Sequence, residues 1–360
     1  MKTLLLAVLL LLGAACSGLA DDAAALKGVA LVIGQSKYRH VAALPNPAND
    51  ASAVARLLQQ LGFEVTLVTD RDGRKLKRDL ERFGEDAGGA DAAIIYYSGH
   101  GIEAGGENWL VPVDADPAAL DDVAKSLVPL TPVLDDLKSR VAITIFLIDA
   151  CRSNPFPAGS LAKKDGASIT MAANGLGAPR GFTPVGAGNN ETLGTVIGFA
   201  AEPGAPALDG EPGGTSPYAA AILRHLAALP GTEFGLVMRM VTEEVYLKTK
   251  TQQRPWVNES LRRELYFGAP AIAEPGDAGA ITGERRRLLL TISDLPLTQR
   301  RAVEQVAVAD GVPLDTLYGV LAAMGAAAVP KDPQALTAAL TAQAEKNQGD
   351  ARPTKCSVDG

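Results

Sequence analysis

Two short polar clusters close otherwise apolar runs: Tyr97-Ser98-Gly99-His100-Gly101 and Ile148-Asp149-Ala150-Cys151-Arg152. They bring an imidazole and a thiol, the pair that nucleophilic peptide cleavage needs. The imidazole takes the thiol proton, and the same ring later protonates the leaving amine. Backbone N–H groups at Gly101 and Cys151 suit an oxyanion. Glycines on both sides of His100 let a substrate chain come close. Alone, each residue has a plainer explanation: a Cys after an apolar strand is usually a small buried hydrophobe, and a His beside Gly a turn residue. Two such residues at two strand ends argue for chemistry.

Short apolar runs alternate with amphipathic stretches from Gly28 onward, as in an α/β domain. Strands are expected at 29–34, 63–68, 91–97, 141–148 and 195–200, and helices at 49–60, around Lys75 to Arg82, and at 131–140, 216–229 and 233–249. In open parallel sheets, sites form at the carboxyl ends of strands, where His100 and Cys151 fall. Residues 152–193, rich in Gly, Pro, Asn and Ala, are too long for a simple connection and read as a mobile or functional loop. That loop holds Lys163, Lys164 and Arg180, basic sites open to self-cleavage if the enzyme cuts after basic residues, the alternative being an uncut loop that covers the groove. The domain is expected over 28–268, with a linker at 270–283, a helix-rich region at 284–345 and a disordered tail at 346–360.

The 360 residues are 47% hydrophobic and 21% charged, which excludes wholesale disorder. A net charge of −7 argues against nucleic acid as the main partner. Three Cys (Cys16, Cys151, Cys356) and three His are too few and too scattered for a disulfide scaffold or a structural zinc site. Lys2, an apolar run from Leu4 to Leu12 and the small residues Gly13-Ala14-Ala15 fit a secretory signal over residues 1–20 rather than a membrane span. Cys16 then has two open readings: lipid attachment, as in the lipobox of bacterial lipoproteins, or ordinary signal cleavage near Ala15 or Ala20. The expected compartment is the periplasm, or the bacterial envelope by a lipid anchor.

The two clusters resemble the His and Cys motifs of caspase-like peptidases, specifically the bacterial relatives of metacaspases. Their separation of about fifty residues is itself part of the caspase signature and adds no independent support. Further matches are Ala30 to Gly34 with Tyr38, Leu44 to Asp50, Asn108 to Pro112, Cys151 to Phe156, and Phe199 to Gly204 leading to Ser216-Pro217-Tyr218. The resemblance covers about 28–268. It implies an α/β fold, a caspase-like three-layer sandwich with a mostly parallel central sheet, followed here by a small helical C-terminal region. It also implies a cysteine endopeptidase with Cys151 as nucleophile and His100 as general acid/base.

In metacaspases the pocket for the residue before the scissile bond is acidic, and its positions match Asp50, Ser98 and Asp149. Two carboxylates in one pocket want a cation, and the fork of Arg satisfies them better than Lys. Plainer roles are helix capping for Asp50 and a strand-end hydrogen bond for Asp149. Glu202 either adds an acidic contact or faces solvent. Asp114, Asp116, Asp121 and Asp122 have the chemistry for Ca²⁺, which activates some metacaspases. The family's calcium ligands cannot be aligned here, so a solvated acidic loop is preferred and no metal or cofactor is expected. Arg285-Arg286-Arg287 ahead of Leu288 reads as the start of a solvated or docking helix. The expected partners are protein or peptide substrates, and the oligomeric state is not legible. The rival from another class is a non-catalytic caspase-fold scaffold of the envelope. A serine hydrolase is disfavoured because no Gly-x-Ser-x-Gly elbow with a suitable later His is present.

Overall fold

A computed structural model describes residues 26–151, 154–157, 160, 162–171, 193–203, 205, 207–228 and 232–267. In the C-terminal part it describes 288, 292, 295–310, 314–324, 330 and 332–350. The expected signal segment with Cys16, the linker 270–283, Arg180, Arg285 to Arg287 and Cys356 lie outside the described residues.

The strands are β1 (Gly28–Gly34), β2 (Glu64–Thr69), β3 (Ala92–Ala104), β4 (Glu107–Leu110), β5 (Val128–Pro129), β6 (Ile143–Cys151), β7 (Ala162–Lys164), β8 (Ala167–Ile169), β9 (Gly194–Phe199) and β10 (Trp256–Glu259). The helices are α1 (Pro47–Gln60), α2 (Gly73–Asp86), α3 (Val123–Ser126), α4 (Leu130–Arg140), α5 (Pro217–Ala228), α6 (Phe234–Lys248), α7 (Leu297–Asp310), α8 (Leu314–Met324) and α9 (Pro333–Asp350). The main sheet runs β10-β9-β6-β3-β1-β2, parallel throughout except for the antiparallel edge strand β10.

Both faces of the inner strands are covered, which is why β1, β6 and β9 and the first half of β3 read as apolar runs. Strand alternation splits the core in two. Ala30, Val32, Ile94, Tyr96, Ile145 and Leu147 pack with α1, α5 and α6. Leu31, Ile33, Ile95, Tyr97, Phe146 and Ile148 pack with α2 and α4 on the opposite face. This is the three-layer α/β sandwich expected from the sequence.

Besides the unexpected short elements β4, β5, β10 and α3, four details differ from the expectation. Strand β3 does not stop at Ser98 but runs through His100 to Ala104. It pairs with β6 up to His100 opposite Cys151, then with β4 from Gly101 onward. Helix α1 starts at Pro47, two residues early, because Pro at the first helical position loses no hydrogen bond. The segment after Cys151 is not a single loop: β7 and β8 form an antiparallel hairpin, with Lys163 and Lys164 paired to Ser168 and Ala167. Helix α9 continues to Asp350, past the expected start of the tail at 346, and residues 351–360 lie outside the described set.

The C-terminal helices dock on α6. Val303, Val306, Leu317, Tyr318, Leu336 and Leu340 share a core cluster with Val241 and Val245. Arg300 pairs with the buried Glu243 at 2.7 Å, and Tyr246 donates to Glu304. Among the described residues no helix is long and apolar enough to cross a membrane.

Candidate active site

The pairing that brings β3 against β6 sets Ser98 opposite Asp149 and His100 opposite Cys151. In a strand, positions two apart share a face. Ser98 and His100 therefore lie on the side of Tyr96, facing the layer of α1 and α5. Cys151 closes β6, two residues on from Asp149.

His100 is buried and held from three directions. Its Nε2 lies 2.8 Å from the carbonyl oxygen of Ala42. A carbonyl can only accept, so Nε2 carries the proton and Nδ1 the lone pair. Among the described residues that Nδ1 is buried without a hydrogen-bond partner. The backbone N–H of His100 donates to the Tyr38 hydroxyl at 2.7 Å, and the two rings lie 4.5 Å apart. The Tyr97 hydroxyl donates to the His100 carbonyl at 2.7 Å. Burial pushes the imidazole pKa down, against the opposing pull of the Ala42 carbonyl, and keeps the ring neutral.

These contacts explain why Gly99 is glycine. Its φ is +156°, and an added Cβ would lie 2.7 Å from the Tyr38 hydroxyl and 2.8 Å from that of Tyr97. The N–H of Val111 donates to the His100 carbonyl, so that carbonyl faces β4. Across a trans peptide, the Gly101 N–H points the opposite way, toward the β6 side.

Asp50, Ser98 and Asp149 come together, fully or almost fully buried. Ser98 donates to Asp50 Oδ2 at 3.2 Å. Tyr96 donates to Asp149 Oδ2 at 3.0 Å, and the Ser216 hydroxyl donates to the same oxygen at 2.5 Å. The Ser216 N–H donates to Asp50 Oδ1 at 2.9 Å. Burial raises Asp50 to about 7, against the bonds from Ser216 and Ser98. Burial and then the charge of Asp50 raise Asp149 to about 8. Among the described residues neither carboxylate has a cation beside it.

Sequence reasoning missed a third carboxylate. Asp209, on the loop between β9 and α5, adds its charge to both Asp50 and Asp149, and its own pKa is raised by burial. Its Oδ2 is buried with no partner among the described residues. It also gave no role to Ser216, and none to the Ala42 carbonyl, which as a backbone group leaves no mark in the sequence. Glu202 is exposed, and its charge acts on Arg254.

The acidic loop is spent on helix ends. Asp114 accepts from Gly73 N at the start of α2, Asp116 accepts from Ala118 N, and Asp122 accepts from Lys125 N. Among the described residues no group of His, Cys, Asp and Glu is arranged to hold a metal ion.

Comparison with known proteins gives this arrangement a family. Human mucosa-associated lymphoid tissue lymphoma translocation protein 1 is 28% identical over 132 residues, 37% of this chain and 16% of that protein. Its Mus musculus homolog is 27% identical over 124 residues, 34% of this chain and 15% of that protein. The chain thus matches under a fifth of the length of these curated relatives. Caspase-1 of Spodoptera frugiperda aligns with a TM-score of 0.45 at 17% identity, over 69% of this chain and 92% of that one. The Caspase domain (Peptidase C14) matches residues 27–266, most of the chain and every residue of the site. The chain belongs to the caspase-domain family.

Proposed function

We propose that the protein is an exported cysteine endopeptidase that cuts after Arg, and less well after Lys, with Cys151 and His100 as its dyad. The observation that carries the reading is the cluster of three carboxylates, with no cation beside it among the described residues, two residues along the same strand pair from an imidazole whose Nδ1 is buried without a partner among them.

His100 Nδ1 takes the proton of the Cys151 thiol. The thiolate attacks the substrate carbonyl, forming the S–C bond, and the oxyanion settles on the N–H groups of Gly101 and Cys151. Nδ1–H then protonates the leaving amine as the C–N bond breaks. Water, deprotonated by the same nitrogen, cleaves the thioester and restores the thiol. The Ala42 carbonyl fixes the tautomer at every step, and it steadies the imidazolium between the two transfers.

The guanidinium of the residue before the cut enters between Asp50, Asp149 and Asp209, with Ser98 and Ser216 lining the way. Its planar fork bonds a carboxylate bidentately and still offers donors to a second, whereas the three donors of an ammonium radiate from one nitrogen. Export rests on residues 1–20, whose basic start and apolar core suit a secretory signal.

A panel of fluorogenic peptides alike except before the cut tests this reading. Cleavage should rank Arg above Lys, with citrulline, Asp and Leu far below. Equal turnover of the citrulline peptide, or preference for Asp, would refute the acidic pocket.

A further inference from the structure

Asn46 stands where a residue normally caps the helix that follows, yet its side chain makes no bond to α1. An Asn at such a position ordinarily turns its oxygen onto the free N–H groups of the first turn. Asn46 is instead fully buried and directed across to the loop between β9 and α5. Its Nδ2 donates to the carbonyls of Asp209 at 2.6 Å and Glu211 at 2.8 Å, and its Oδ1 accepts from Gly213 N–H at 2.9 Å. Two donors and an acceptor in one plane are what a primary amide offers and a carboxylate or hydroxyl does not.

The same loop is held at its other end by Gln253, also fully buried. Gln253 donates to the Ala200 carbonyl at 2.8 Å and accepts from Leu208 N–H at 2.9 Å. Between and beyond these clamps lie Asp209, with its unpartnered carboxylate oxygen, and Ser216, which joins Asp50 to Asp149. Asp50 is four residues after Asn46, on the first turn of α1. One side chain therefore ties the loop that carries Asp209 to the helix that carries Asp50.

We propose that Asn46 is the positioning residue of the acidic pocket. It touches neither the dyad nor the scissile bond, and it sets affinity for the basic side chain by holding Asp209 and Ser216 against Asp50. This rests on the arginine-pocket reading above. The capping energy forgone at α1 is offset by three hydrogen bonds to the loop, which α1 also holds through Asn49 at Gly214 and Asp50 at Ser216.

The test compares wild type, Asn46→Ala and Asn46→Asp in the full chain. Asn46→Asp keeps the size and the acceptor for Gly213 but turns an oxygen toward two carbonyls, so both variants should behave alike. The KM for the Arg peptide should rise about tenfold or more, with kcat per titrated Cys151 changed less than about twofold. Arg should lose much of its advantage over citrulline. The rate and pH profile of Cys151 alkylation by iodoacetamide, read by peptide mapping, should stay those of wild type. An unchanged KM, or a loss carried wholly by kcat, overturns the proposal.

If neither variant folds, wild-type hydrogen exchange decides. The Gly213 N–H should exchange at least about tenfold more slowly than in an unstructured chain, and exchange at the unstructured rate overturns the clamp. Wild type that cleaves after neither Arg nor Lys would refute the pocket reading and this proposal together. Cleavage after Arg with a normal Asn46→Ala KM would refute this proposal alone.

Discussion

Asp50 and Asp149 arrive from a helix and a strand and are joined through one residue, Ser216, whose N–H donates to the first and whose hydroxyl donates to the second. The hydroxyl bond stabilises ionised Asp149 against burial. Ser216→Ala removes that bond and leaves the one to Asp50. The rise of kcat/KM with pH for an Arg peptide should therefore move upward, by on the order of one pH unit. An unmoved pH profile would show that Asp149 does not meet the substrate.

The raised carboxylates give two pH dependences of opposite sign. Asp50 at about 7 and Asp149 at about 8 hold protons in the empty pocket at neutral pH, and a guanidinium requires them ionised. The KM for Arg peptides should fall as pH rises from about 6 to about 9. Stability runs the other way. A folded carboxyl that titrates above its unfolded value of 3.8 binds more protons than the unfolded chain in between. Its contribution is complete below 3.8 and is lost as pH rises through about 8. Asp149→Asn should melt above wild type near pH 9 and close to it near pH 5, while losing cleavage after Arg. Melting curves of the two proteins at both pH values check this, and a variant less stable than wild type at the higher pH would contradict it.

Much of this site was legible because its parts end apolar runs. Ala92 to Tyr97 and Ile143 to Ile148 are recognisable strands, so the polar residues after them stand out. The extension of β3 to Ala104 was not legible, since Gly99 and Gly101 look like a strand's end. Gly99 is explained by its φ and by the two tyrosine hydroxyls and the Gln35 side chain that the fold brings to it. Asp209 and Asn46 were hidden for a related reason. The loop of 200–216 has no period, and its partners are distant in the chain: Asn46 and Asp50 at the start of α1, Asp149 on β6 and Gln253. Strand β10 is four residues long and half-exposed, too short for alternation to show.

Asp209 should tune affinity more than chemistry. With Asp209→Asn the pocket keeps two carboxylates, so cleavage after Arg should persist with kcat/KM lowered about tenfold, mostly through KM. Steady-state kinetics on one Arg peptide measures both constants. An unchanged KM would place Asp209 outside the pocket.

Tyr38 should act on the dyad and not on the pocket. Tyr38→Phe keeps the ring against the imidazole but leaves the buried His100 N–H without its acceptor, a cost of about 1–3 kcal/mol. The expected result is a lower melting temperature and a lower kcat with KM for the Arg peptide unchanged. A rise in KM alone would contradict the separation of the two sites.

The most direct test of the account is covalent capture. Wild type, Cys151→Ala and His100→Ala are each incubated with a peptidyl-Arg acyloxymethyl ketone and with its Asp counterpart, and the products are read by intact mass and peptide mapping. The account predicts one adduct on wild type, located at Cys151, formed with the Arg probe and not the Asp probe. It should be absent from Cys151→Ala and strongly slowed in His100→Ala. Labelling at Cys16 or Cys356, equal labelling by both probes, or unchanged labelling of His100→Ala would contradict it.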